Sequence, residues 1–214
     1  MRRNAVFAAL LLFSQVLGTP AQHLRTLLPV DEAAKNPDFL AFRMRLQDIV
    51  ARKDTAALME VVHPHIKIGF GGDDGAAAFL EEWKPREPGS TLWKELGEVL
   101  RLGGTFDGPT NFTTPYTFSR WPDGIDAFDF AAVTGSNVRI RTAPSLNAPV
   151  VTTVSYAILE VVYEQKPVEG WTAVKLDGKT AYLAARYIRS PVDYRARFEY
   201  IEGRWRLLMF LAGD

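Results

Sequence analysis

Apolar positions along this chain keep one period in its first half and another in its second. Phe39, Phe42, Leu46, Ile49 and Val50 recur at three- and four-residue spacing, which predicts one apolar stripe on a helix. Asn36 stands before it as a cap, and Pro37 takes the first helical position, where a missing N–H costs nothing. Asp54 predicts the cap of a short second helix that ends by Pro64, and Ile66, Ile68 and Phe70 then share one face of a strand. "GGDDG" turns the chain into a third helix carrying Phe79, Leu80 and Trp83 and ending at Pro85. Ser90 opens a fourth with Leu92, Leu96, Val99 and Leu100 inward, and Gly103-Gly104 stops it.

Residues 105–130, rich in Gly, Pro, Thr and aromatics, read as a connector packed on this first region, with "PYTFSRW" as a strand. From Val133 the helical period gives way to short strands, predicted at 137–141, 149–154, 157–163, 171–176 and 179–183. Asp177-Gly178 between two alternating runs is a hairpin signal, and five such strands suggest a small barrel. At the end, Tyr194, Ala196, Phe198 and Tyr200 alternate with Arg195, Arg197 and Glu199. Glu202-Gly203 turns, and Trp205, Leu207, Met209 and Leu211 return. This hairpin is too apolar on one face to stand in water alone, so it is expected to rejoin the sheet of the first region.

Composition narrows the function classes. Lysine plus arginine equal aspartate plus glutamate at 25 each, so no global field draws nucleic acid to the chain, and it is not expected to bind it. Arg2 and Arg3 followed by an apolar run over residues 5–16 read as an export signal, cleaved after Gly18 or Ala21. That run is short of the ~20 residues a spanning helix needs, and no later segment is long enough, so no membrane span is expected in the mature chain. With no cysteine, the protein has no disulfide, thiol nucleophile or thiolate metal site. The expectation is a secreted or periplasmic protein held together by core packing.

Residues 133–190 resemble the bacterial SH3 (SH3b) family. The likeness runs through Asn137, Val138, Arg139, Ile140 and Arg141 with Pro144 and Ser145, then Gly170, Trp171, Val174, Gly178, Tyr182, Leu183, Tyr187 and Ile188. Ala181 stands where the family often has glycine, and Tyr182 where it often has tryptophan. The resemblance implies a recognition module, without catalysis of its own, that takes peptidoglycan or a peptide or protein partner at the cell envelope. Asn137, Arg139, Arg141, Trp171, Tyr182 and Tyr187 are the expected contacts; Asn137, Arg139, Trp171 and Tyr187 suit the barrel's own framework equally well. Residues 37–83 with 194–212 resemble, at the level of pattern, the NTF2-like cone, in which a curved sheet wraps a helix and leaves a pocket.

The organisation expected is therefore an α+β protein: an export signal over 1–21, a linker over 22–36, a helix-rich α+β domain over 37–130, an SH3b-like β-barrel over 133–190 and a returning hairpin over 192–214. Two other classes stay open: a small-ligand-binding protein or enzyme using a pocket in the first domain, and a structural subunit of an envelope complex. For the former, His65 and Asp73 are the residues to test. His63 and His65 near Asp73 and Asp74 have the donor chemistry of a metal site, but a helix end, a strand edge and a turn explain them as well, so no metal or other cofactor is expected. "GGDDG" lacks the ligand alternation of a calcium loop and the lysine of a phosphate loop. No serine elbow, zinc-protease histidine pair or S-x-x-K motif is present, so no catalytic residue is assigned.

Overall fold

A computed structural model describes residues 24–72, 74–163 and 166–213. The expected export signal and Asp73 lie outside them. The protein is α+β: among the described residues, five α-helices accompany two separate sheets.

The first helix, α1 (Pro37–Arg52), begins where Asn36 accepts from the backbone N–H groups of Asp38 and Phe39, and ends at Lys53 in the left-handed conformation. Asp54 caps α2 (Thr55–Val61) by accepting from the Ala57 N–H. The strand β1 (Val62–Lys67) starts earlier than its Ile66-Ile68-Phe70 pattern predicts and runs through Pro64 instead of beginning after it. Proline is tolerated because β1 is an edge strand. Helices α3 (Ala76–Trp83) and α4 (Leu92–Arg101) follow. Thr91 is the cap position of α4 but makes no side-chain cap bond; the Ser90 hydroxyl accepts from the Leu92 N–H at 3.4 Å and donates to the Trp83 carbonyl at 2.7 Å.

The connector contributes β2 (Thr105–Phe106), β3 (Asn111–Thr114) and α5 (Tyr116–Ser119). "PYTFSRW" is thus a helical turn and not a strand. Its β-favouring residues are overruled by position, because Tyr116 and Thr117 are fully buried and Phe118 and Ser119 donate back to the Pro115 carbonyl.

Seven short strands form the second sheet: β4 (Phe130–Val133), β5 (Val138–Arg141), β6 (Val150–Val154), β7 (Ile158–Val161), β8 (Trp171–Leu176), β9 (Lys179–Ala184) and β10 (Ile188–Arg189). Their order is β10-β4-β7-β8-β9-β5-β6, an open ladder with β10 and β6 at its edges, so the closed barrel expected from strand count is not formed. The chain then enters β11 (Arg195–Ile201) and β12 (Arg204–Leu211), which pair centrally in the first sheet, ordered β1-β12-β11-β3-β2. The second sheet is therefore spliced between two strands of the first. Both two-residue hairpin turns, Asp177-Gly178 and Glu202-Gly203, have positive φ at both positions, the geometry that matches strand twist.

Aromatic rings fill the space between α1 and the first sheet. Phe39 is fully buried, with the Phe112 and Trp205 rings at 4.2 and 4.8 Å between centroids and those of Phe106 and Phe198 at 5.4 and 5.8 Å. A smaller apolar cluster ties the two sheets together: Leu27, Leu102, Tyr116, Ala132 and Ile158. Leu27 comes from the stretch read as a linker, whose described part is packed. Thr26 bridges Ala157, the Leu27 N–H donates to the Tyr156 carbonyl at 2.8 Å, and Arg43 grips Asp31 through two bonds of 2.7 and 2.8 Å. Glycine at 104 is a consequence of this packing, because a Cβ there would lie 2.1 Å from the Thr113 carbonyl oxygen.

Candidate functional site

Strands β8 and β9 carry the best-formed candidate. Trp171 lies opposite Ala184 and Ala173 opposite Tyr182 in their antiparallel register. Trp171 and Tyr182 are therefore diagonal neighbours on one face, a separation that large side chains span. Their partners Ala173 and Ala184 are small, and the opposite face of the pair sends Val174, Leu176, Ala181 and Leu183 into the core. Alternation thus puts the aliphatic residues inside and leaves the two rings half-exposed.

A tight turn sets the angle of Trp171. Its N–H donates to the Val168 carbonyl at 3.0 Å, and Gly170 has φ of +76°, which a side-chain-bearing residue adopts with strain. The turn folds Pro167 and Val168 beside Trp171, and with Tyr163 and Lys166 they complete an open groove of about 160 Å³. Tyr163 is 65% exposed and anchored by its hydroxyl, which donates to the Phe128 carbonyl at 2.9 Å. Partial burial, and then the Asp129 carboxylate, push its phenol above the usual value. The Trp171 indole N–H makes no hydrogen bond among the described residues, and Lys166 is exposed without a carboxylate partner among them. The groove therefore presents ring faces, one indole donor and one ammonium.

The other expected contacts are dispersed. Asn137 sits in the left-handed conformation, which asparagine tolerates, and its backbone N–H donates to the Ser155 hydroxyl at 2.9 Å, so it shapes the start of β5. Arg139 is exposed on β5 opposite Thr153, away from the groove's lining. Arg141, another expected contact, is only 9% exposed, and its Nη1 donates to the Ala148 carbonyl at 2.7 Å. A bulge between Ile140 and Arg141 shifts the register, and the 142–149 loop closes over the guanidinium. Tyr187 lines a different cavity, between α4 and the end of the second sheet. Sequence reasoning missed Tyr163, Lys166, Pro167 and Val168, although proline and an aromatic flanking a turn before Trp171 were the available signal.

The histidine pair lies on the exposed side of edge strand β1. The rings of His63 and His65 are 5.8 Å apart, and the His65 N–H donates to His63 Nδ1 at 3.1 Å. Among the described residues no group of three or more His, Asp or Glu is placed to hold a metal. Asp74 is used locally, accepting from the Ile68 N–H at 3.0 Å. A cavity of about 580 Å³ on the first unit opens instead between α1 and the β11–β12 turn, lined by Phe42, Arg45, Glu60, Tyr200 and Trp205. It does not include His63 or His65. No helix among the described residues is long and apolar enough to cross a membrane. The sequence matches no family model and no curated protein.

Proposed function

We propose that this is an exported envelope protein whose second sheet forms an SH3b-like recognition module, binding a short peptide of the cell wall in the groove of Trp171 and Tyr182. The observation that carries this reading is the diagonal pairing of two half-exposed aromatics on adjacent strands, flanked by alanines and by Tyr163 and Val168. A groove of about 160 Å³ is too small to enclose a drug-sized ligand, but it accommodates one or two small residues of an extended chain. Ring faces suit the apolar and backbone surfaces of such a segment, the indole N–H suits a peptide carbonyl, and Lys166 suits a peptide carboxylate.

Export is part of the proposal, supported by Arg2, Arg3 and the apolar run over 5–16 and by the absence of cysteine. In this reading the first unit is the platform. The spliced module is held at both ends, through the Leu27–Tyr116–Ile158 cluster and through the chain that enters β11.

Co-sedimentation of the purified exported protein with peptidoglycan sacculi tests the proposal. Saturable pelleting that Trp171→Ala and Tyr182→Ala abolish, with circular dichroism unchanged, is the expected result. Absence of pelleting across a range of salt concentrations would refute it.

A further inference from the structure

A second cavity, of about 750 Å³, opens where the two units meet, between α4 on one side and residues 134–135 and 185–194 on the other. Its volume falls in the range that encloses small molecules, and a junction between units is a common place for such sites. Both walls carry charges of both signs, and what is paired decides what is available to a ligand.

On α4, Arg101 donates twice to Glu98, at 2.8 and 3.0 Å, which neutralises that pair. Glu95 is different. Its side chain is 20% exposed, and the ion pair it makes is with the adjacent Lys94 at 3.3 Å, a side chain 79% exposed and well screened by solvent. The Tyr194 phenol, which lines the cavity from the opposite side, is pushed up by burial and then by Glu82, Glu95 and Asp193.

The opposite wall carries two arginines, Arg186 and Arg189, and one carboxylate, Asp193. Arg186 is exposed, its guanidinium lies 4.8 Å from the Tyr187 ring centroid, and it has no carboxylate partner among the described residues. The Arg189 side chain is 10% exposed and fixed by donating from Nη2 to the Tyr194 carbonyl at 2.6 Å, while its Nη1 forms a long ion pair of 3.8 Å with the half-exposed Asp193. The Tyr187 ring, 38% exposed, adds an apolar surface to the lining.

We infer that this cleft is a second binding site, for a small zwitterion of the amino-acid or dipeptide class. Its carboxylate sets on Arg186 with Arg189 behind it, its ammonium sets on Glu95, and its body lies against Tyr187. Paired charge-assisted bonds in a partly closed site recognise both ends of such a ligand and discriminate against molecules that carry one charge alone. Because the cavity walls belong to both units, occupancy holds them together. The site does not depend on the groove at Trp171.

Thermal-shift and calorimetric titrations of the whole exported protein test this, with the free amino acids and the alanyl and glycyl dipeptides as probes. At least one probe is expected to raise the melting temperature in a dose-dependent way, as binding to the folded state requires. Its N-acetylated and carboxamide forms are expected to bind about tenfold more weakly or worse, and Glu95→Gln and Arg186→Gln each to produce a similar loss. Trp171→Ala should leave the titration unchanged, which separates this site from the groove. No response to any probe at millimolar concentration would overturn the inference. So would binding that survives both Glu95→Gln and Arg186→Gln.

Discussion

Arg141 lies opposite Tyr182 in the β5–β9 ladder, and its guanidinium is closed in by the carbonyl of Ala148. Ala173, Tyr182 and Arg141 thus form one row across three strands, with the candidate ring in the middle. Arg141 is buried next to Tyr182 in the ladder, whereas Arg139 two positions earlier is exposed.

These two arginines should therefore separate in a mutational test. Arg141→Ala removes a charged donor and leaves the Ala148 carbonyl without it, a change expected to cost about 1–3 kcal/mol of stability. Arg139→Ala, on an exposed strand position, should stay within about 0.5 kcal/mol of the parent. Urea denaturation of both variants measures the difference. Equal stability of the two would show that the Ala148 contact contributes nothing.

Leu27 tests whether the stretch before α1 is part of the architecture. Its side chain is 8% exposed and packs with Leu102, Tyr116, Ala132 and Ile158 between the two sheets. Leu27→Ala is expected to cost about 2–4 kcal/mol, the usual range for truncating a buried leucine. A loss below the precision of the denaturation curve would mean that the stretch is a passive tether.

Tyr116 makes the fold sensitive to alkali. Burial first, and the neighbouring Tyr156 second, push its phenol from 10.0 up to about 12. A pKa raised on folding means that the folded state favours the neutral form. The contribution is fully present below pH 10.0 and is lost as pH rises towards about 12. Tyr116→Phe keeps the ring and removes the titration. Its stability relative to the parent should rise across that alkaline window and stay flat between pH 6 and 9, roughly the range in which neither phenol state changes. A constant difference up to the alkaline limit would contradict this account.

Legibility in the sequence followed how local the determinants were. Asn36, Asp54, Asp177-Gly178 and Glu202-Gly203 each act within a few residues, and each forms the cap or turn that its type predicts. The Phe39 stripe was equally readable because it repeats on one element. What escaped was non-local. β4 and β10 are four and two residues long, and they exist because they pair with each other and, through β4, with β7. The helical turn at Tyr116 is imposed by burial against distant segments, which no propensity encodes. At the candidate site, Trp171 and Tyr182 were identifiable by type and strand parity. Arg141's burial depended on a bulge and on the loop over it, and Tyr187's separation from the groove depended on the path of the chain after β9.

The most direct test of the central claim is a chemical-shift titration of the isotope-labelled protein with muropeptides released from digested sacculi. The account predicts that the Trp171 indole signal and the backbone signals of Tyr163, Val168, Ala173 and Tyr182 move together and saturate, while those of the histidine strand at residues 62–67 stay in place. Shifts centred elsewhere, or none at all, would contradict it.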